Sequence, residues 1–265
     1  MLNFLRRLRR LLRRARRDLG LEFLRRRLFG VADGSVVTVG GLTLRVTDGV
    51  NAYMQYKDEF LLRNYAFEAC GPAPVVIDGG ANIGMFTLAT LRDHPDARVT
   101  AFEPDPAVRA MLHENLDRNG ARGVTIVDAA LGAAEGEMSF TPDGQAGGTL
   151  GGAGAMRVRV VPLSRYLDGE VDFLKLNIEG AELDVIQEAA AAGRLRQVRA
   201  MVIEYHGWAQ APQRLGALLQ VLDANGFRYL LHDLDDQTNP RTKPPFAPPG
   251  TEPWFALVYA WRVDR

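Results

Sequence analysis

Apolar residues at Met1, Leu5, Leu8, Leu12, Ala15 and Leu19 recur every three or four positions, and Arg6, Arg7, Arg9, Arg10, Arg13, Arg14, Arg16 and Arg17 fill the gaps. That period predicts an amphipathic helix with one apolar stripe. Gly30 and the turn Ala32-Asp33-Gly34 close it, and two short alternating stretches, Ser35–Val39 and Leu42–Val46, flank Gly40-Gly41 as a hairpin would. From Pro74 the pattern changes. Apolar runs at Val75–Ile77, Val99–Phe102, Val124–Val127, Phe173–Leu176, Ala200–Ile203, Tyr229–Leu231 and Phe255–Tyr259 alternate with helical stretches, which predicts a mainly parallel sheet covered on both faces. The chain is thus read as α/β, with an N-terminal extension at 1–73 and one doubly wound domain at 74–265. Gly144–Gly154 holds six glycines in eleven residues and is expected to be mobile. The proline-rich stretch Pro240–Pro253 is expected to be a surface loop.

Composition narrows this only slightly. With 265 residues, 47% hydrophobic and 24% charged, the chain suits one large globular domain with a substantial core. Cys70 is alone, so no internal disulfide or cysteine-rich zinc site is expected, and a reducing compartment is. The net charge of zero conceals an asymmetry. Residues 1–30 carry eleven Arg against Asp18 and Glu22, a charge of +9, which leaves −9 on the rest. No stretch reaches the roughly 18 apolar residues of a spanning helix, and arginines stand where a secretory leader would be apolar, so a cytoplasmic protein is expected.

The strongest chemical signal is Val75-Val76-Ile77-Asp78-Gly79-Gly80-Ala81-Asn82-Ile83-Gly84-Met85-Phe86-Thr87, a buried strand, a glycine-rich turn and a helix start. Gly80 and Gly84 are expected to let the backbone approach a ligand, and the helix N-terminus offers free N–H groups to a carboxylate. The spacing Asp-x-Gly-x-x-x-Gly differs from the dinucleotide pattern. An acid at its first position suits an α-ammonium better than a pyrophosphate, so a zwitterionic amino-acid cofactor is favoured. The second strand ends at Glu103, before Pro104-Asp105, where an acid can accept both hydroxyls of a ribose. The third ends at Asp128-Ala129-Ala130; Asp128 could take an adenine amino group and Ala129 leaves room for the ring. The plain alternatives are a solvated acid at Glu103 and a turn residue at Asp128.

Two further strand ends carry polar groups: Lys175-Leu176-Asn177-Ile178-Glu179-Gly180-Ala181-Glu182 and Glu204-Tyr205-His206. Ligands of open α/β sheets bind along that edge. His206 is the one histidine there, and a histidine near neutral pKa is a natural base for a hydroxyl proton; a buried structural histidine is the alternative.

Together these residues resemble the FkbM family of S-adenosylmethionine-dependent methyltransferases, over roughly Tyr53–Glu204. The carriers are Asp78–Gly84, Phe102-Glu103-Pro104, Ala130-Leu131-Gly132, Lys175–Glu182 and Glu204-Tyr205-His206. The glycine turn by itself indicates a class I methyltransferase; the Lys-x-x-x-Glu-Gly-x-Glu element is what points to FkbM. The resemblance implies a Rossmann-like sheet of about seven strands and O-methylation of hydroxyls on sugars, polyketides or related metabolites; a lipid-linked saccharide would suit an N-terminal helix held at a membrane. S-adenosylmethionine is then placed against Asp78, Gly80, Asn82, Gly84, Glu103, Asp128 and Ala129. Lys175, Asn177, Glu179, Glu204 and His206 are assigned to catalysis, with His206 as the base, held by Glu204 or Glu179. The family usually has Asp where this chain has Asn177, which removes a charge from that position. The expected reaction is in-line displacement that needs no metal, although a Mg²⁺ site using Asn177 and Glu204 stays open.

Three other functions compete. An NAD-dependent oxidoreductase could also use Glu103, but the glycine spacing disfavours it. A nucleic-acid methyltransferase could use the arginine-rich arm, yet Asn177-Ile178-Glu179-Gly180 has no proline or aromatic residue to stack a flipped base. A non-catalytic protein could retain the cofactor fold. For Met1–Leu28, an anionic membrane surface is one expected partner; docking of its leucines on the catalytic domain or a second subunit is the other.

Overall fold

The computed structural model describes residues 19–142, 148–150, 156–208, 210–233 and 254–263. Most of the glycine-rich stretch, all of Pro240–Pro253, and residues 1–18 of the arginine-rich helix lie outside the described residues. Helix α1 (residues 19–28) leads into strands β1 (Val36–Val39) and β2 (Leu42–Arg45), an antiparallel pair joined at Gly40-Gly41. Helix α2 (Gly49–Tyr56) follows; Asp48 caps it, accepting from the N–H groups of Val50 and Asn51. It runs on into a π-helical turn, Lys57–Leu62.

The main sheet is built from β3 (Val75–Gly79), β4 (Arg98–Phe102), β5 (Val124–Val127), β10 (Val171–Leu176), β11 (Val198–Gly207), β12 (Phe227–Asp233) and β13 (Trp254–Arg262). Its order is β12-β13-β11-β10-β3-β4-β5, so every strand expected from the apolar runs is present. β5, β4, β3, β10 and β11 are parallel, and β13 lies antiparallel to both neighbours. Helices α3 (Met85–Asp93), α4 (Pro106–Arg118), α5 (Glu182–Ala191) and α6 (Leu215–Ala224) complete the layers. Asp105 and Pro106 explain where α4 starts: the Asp105 carboxylate accepts from Ala107 and Val108, and proline supplies a preset φ. A second sheet of four short strands, β6 (Ala130–Gly132), β7 (Gly136–Pro142), β8 (Gly148–Leu150) and β9 (Met156–Pro162), was not anticipated; its order is β6-β9-β7-β8.

The N-terminal segment is packed onto the sheet's helices. Leu24, Leu28, Leu44, Val46 and Phe60 share one apolar cluster with Ile83, Met85, Ala101 and Leu112. The edge of β2 finds its hydrogen bonds on α4: Arg45 N–H donates to Asn115 Oδ1 at 2.6 Å, and Asn115 Nδ2 returns a bond to Arg45 O at 2.9 Å. Asn119 repeats the exchange with Thr43, at 3.0 and 2.9 Å. Buried polar edges thus end satisfied. On α1, Leu24 and Leu28 are buried while Leu19 and Phe23 are exposed. Among the described residues, no helix is long and apolar enough to cross a membrane.

Candidate active site

The strand order reverses between β3 and β10, whose neighbours lie on opposite sides. Such a switch point opens a crevice at the C-terminal ends of the strands. A cavity of about 220 Å³ occupies it. Its walls include Gly80, Asn82, Glu103, Ala129, Lys175, Asn177, Glu179 and Glu204, eight of the twelve residues expected at the site.

Beneath the floor lies a buried ion pair. Register places Lys175 of β10 beside Asp78 of β3. The ammonium donates to Asp78 Oδ1 at 3.1 Å and to the Gly80 carbonyl at 2.5 Å, while Thr87 donates its hydroxyl to Asp78 Oδ2 at 2.7 Å. Asp78, expected at a cofactor ammonium, is fully buried and outside the cavity lining, and in this structure its carboxylate anchors Lys175 and α3. The glycines have tasks in the fold as well. A Cβ on Gly80, which has φ +77°, would stand 1.9 Å from the Asn177 carbonyl, and one on Gly84 would stand 2.7 Å from Leu112. Gly80 permits the crossing of β3 past the end of β10, and Gly84 permits α3 to meet α4. Gly80 also lines the cavity, whereas Gly84 does not.

Glu103 is buried and faces the cavity. Its Oε2 accepts from Asn82 N–H and its Oε1 from Asp105 N–H, both at 2.9 Å. Burial raises its pKa to about 7, against the opposing pull of those two donors. A carboxylate offers about four lone-pair sites, so two backbone donors leave capacity on both oxygens. Asp128, expected at the adenine, has an exposed carboxylate that pairs with Arg109 Nη1 at 2.5 Å and lies outside the lining. Its neighbours Ala129, Ala130 and Leu131, with Phe102, form the apolar wall.

At the other end, the Lys-x-x-x-Glu-Gly-x-Glu element acquires a physical meaning. Glu182, almost wholly buried, turns back to accept from Ile178 N–H at 3.3 Å and Gly180 N–H at 3.1 Å, and its Oε1 lies 3.0 Å from His206 Nδ1. Gly180 takes φ +102° and Glu179 φ +56°, a left-handed step that a non-glycine residue adopts only at a cost. It turns Glu179 so that Oε2 lies 3.3 Å from His206 Nε2. Burial works against a charge on His206, but hydrogen bonds with Glu179 and Glu182 outweigh it and hold the pKa well above the ordinary value. Both ring nitrogens of His206 thus face carboxylates, Nε2 that of Glu179 and Nδ1 that of Glu182, and the side chain stands behind the lining. The geometry favours another task than the expected one of base: each ring nitrogen is engaged with a carboxylate, and the side chain does not line the cavity.

The carboxylates that His206 orders do face the cavity. Burial favours the acid form of Glu179, but the hydrogen bond from His206 prevails and lowers its pKa. Glu204 lies on the same face of β11 two residues before His206, and burial raises its pKa despite His206 Nε2 4.0 Å away. Tyr65 donates its hydroxyl to Glu204 Oε2. Asn177 Oδ1 is buried with no hydrogen-bond partner among the described residues.

Sequence reasoning missed Met54, Gln55, Asp58, Glu59 and Tyr65, which the α2 segment brings to the wall. Gln55 Nε2 donates to Asn82 Oδ1 at 3.0 Å, tying that wall to the glycine turn. Burial, with Asp78, Asp58 and Glu204 nearby, pushes the Glu59 pKa well up. The Asp48 cap could have revealed α2, but nothing local marks Tyr65. Among the described residues, no group of three or more His, Cys, Asp or Glu side chains is spaced to hold a metal ion.

Comparison with known proteins agrees with this geometry. The methyltransferase FkbM domain model matches residues 78–229. The chain is 30% identical over 178 residues to methyltransferase sdnD of Sordaria araneosa, covering 52% of this chain and 69% of the relative. It is 36% identical over 107 residues to the 31-O-demethyl-FK506 methyltransferase FkbM of Streptomyces tacrolimicus, covering 39% and 41%. A solved structure of methyltransferase FkbM from Methylobacillus flagellatus KT aligns with a TM-score of 0.51 at 18% identity, over 80% of this chain and 50% of that one; that likeness shows the fold. The chain belongs to the FkbM family of S-adenosylmethionine-dependent methyltransferases.

Proposed function

We propose that the protein methylates a hydroxyl oxygen of a small molecule or glycan, such as a sugar, a polyketide or a lipid-linked saccharide. The observation that carries this reading is Glu204: a carboxylate with a raised pKa, on the cavity wall, at the end of the strand next to β10. Such a group can take the proton of a hydroxyl near neutral pH.

The residues fit S-adenosylmethionine. Glu103 keeps lone pairs for ribose hydroxyls, Phe102, Ala129 and Leu131 offer an apolar slot for a planar ring, and Asn177 Oδ1 still lacks a donor. The end of β4 lies three strands from β11, roughly 14 Å at the usual strand spacing, so a nucleoside at Glu103 and an acceptor at Glu204 have separate places. When bound, the cofactor supplies an electrophilic methyl group on sulfonium. The chain's own residues orient the acceptor oxygen, exclude water and hold the released proton on Glu204. Glu179, kept ionised by His206, accepts a second hydroxyl and fixes the acceptor's orientation.

Transfer of labelled methyl from S-adenosylmethionine to a panel of hydroxylated glycans and polyketides tests the reading. Label should appear as a methyl ether, and acceptors already methylated at that oxygen should be inert; label on nitrogen would overturn it. The cofactor half has its own check. Because ribose hydroxyls favour ionised Glu103, whose free-protein pKa is about 7, S-adenosylhomocysteine affinity should level off above pH 7. It should fall about tenfold per pH unit below it, the effect of one linked proton. Calorimetry from pH 5.5 to 8 reads this; a flat profile, or no change in Glu103→Gln, would take Glu103 out of the ribose site.

A further inference from the structure

Tyr65 precedes the family-matching region of residues 78–229, yet its place is fixed from several sides. Arg63, with φ 58°, ends the π-helical turn in left-handed backbone. Asn64 then binds back to Asp58, through its N–H to the carbonyl at 2.9 Å and through its amide to Oδ1 at 3.0 Å. Tyr259 of β13 donates its hydroxyl to the Asn64 carbonyl at 2.8 Å, and Phe67 stacks on Phe173 of β10, with ring centroids 4.4 Å apart. Between these anchors Tyr65 is buried, edge-on to Phe86. Its hydroxyl makes its hydrogen bond to Glu204 Oε2. The two oxygens of Glu204 are thereby divided: Tyr65 holds Oε2, and Oε1 lies on the side of His206 Nε2.

We propose that Tyr65 is a positioning residue, whose hydroxyl fixes the Glu204 carboxylate and leaves Oε1 as the oxygen that receives the acceptor's proton. The N-terminal segment is then part of the catalytic unit. This rests on Glu204 as the proton acceptor. In the step concerned, the acceptor oxygen forms its bond to the methyl carbon, the carbon–sulfur bond breaks to leave a thioether, and the hydroxyl proton passes to Glu204. A donor on Oε2 stabilises the carboxylate, and the carboxylate in turn disfavours ionisation of the phenol, so the two titrations are coupled. Burial and the charges of Glu204 and Glu59 indeed raise the Tyr65 pKa well above its ordinary value.

The test uses the full chain labelled with ¹³C at glutamate Cδ and tyrosine Cζ, titrated by NMR, with Glu204→Gln and Tyr65→Phe to assign the two resonances. In Tyr65→Phe the Glu204 midpoint should rise by about one pH unit, and in Glu204→Gln the Tyr65 midpoint should fall by a similar amount, the scale of one hydrogen bond to a charged group. Loss of packing alone would lower the melting temperature without moving either midpoint. An unmoved Tyr65 midpoint in Glu204→Gln overturns the proposal even if Tyr65→Phe fails to fold. Since no turnover is needed, this failure differs from that of Glu204 as proton acceptor, which would appear as undiminished methyl transfer by Glu204→Gln.

Discussion

Replacing Lys175 with methionine is expected to destabilise the protein by about 3–5 kcal/mol, the usual cost of leaving one member of a buried ion pair without its partner. Both side chains are shielded from water, 6% exposed for Lys175 and 0% for Asp78. Without the ammonium, Asp78 retains only the Thr87 hydroxyl among its contacts at 2.7–3.1 Å, and the Gly80 carbonyl loses its donor. Urea denaturation measures the loss as a lower midpoint at unchanged slope. Converting Asp78 to Asn as well should recover part of it, because the unpaired charge is then gone. A single-variant loss under about 1 kcal/mol, the range of an exposed pair, would show that the pair is not shielded from solvent.

The largest kinetic effect is expected at Glu204. Glu204→Gln keeps the shape and the contact with Tyr65 but cannot take a proton, so methyl transfer should fall by roughly 10²–10⁴ at pH 7, the range for loss of a general base. Because the Glu204 pKa is raised, the wild-type rate should climb with pH through that pKa, and this limb should vanish in the variant. Glu179→Gln should act more on acceptor KM, since Glu179 is held as an anion by His206. A variant at Glu204 with a near-normal rate would move proton acceptance to Glu179.

The seven-stranded sheet was legible because each of its strands contains an apolar run and helical stretches separate most of them, and the edge that carries the site follows from that alternation. The second sheet was not. β6 has three residues, and β7 to β9 lie around the glycine-rich stretch, where no period develops. Glycine positions were readable, but sequence cannot say what each one approaches: Gly80 yields to the Asn177 carbonyl just past β10 and Gly84 to Leu112 of α4. His206 was found without its partners for the same reason. Its neighbour Glu204 is visible two residues away, whereas the Glu182 that closes its second nitrogen arrives from 24 residues earlier. Tyr65 and Glu204 stand 139 residues apart, a pairing that only the packed chain brings together.

The position of β13 has a consequence for synthesis. It lies between β11 and β12 and is the neighbour that pairs β12. As the chain leaves the ribosome, β12 emerges with Leu230 and Leu231, which remain exposed even in the finished fold, and has no strand to join until residues 254–262 appear. During that interval the facing edges of β11 and β12 are both open to strands of other chains. Expression at lower temperature, or with a holding chaperone present through this window, should therefore improve soluble yield more than any change made to the finished surface.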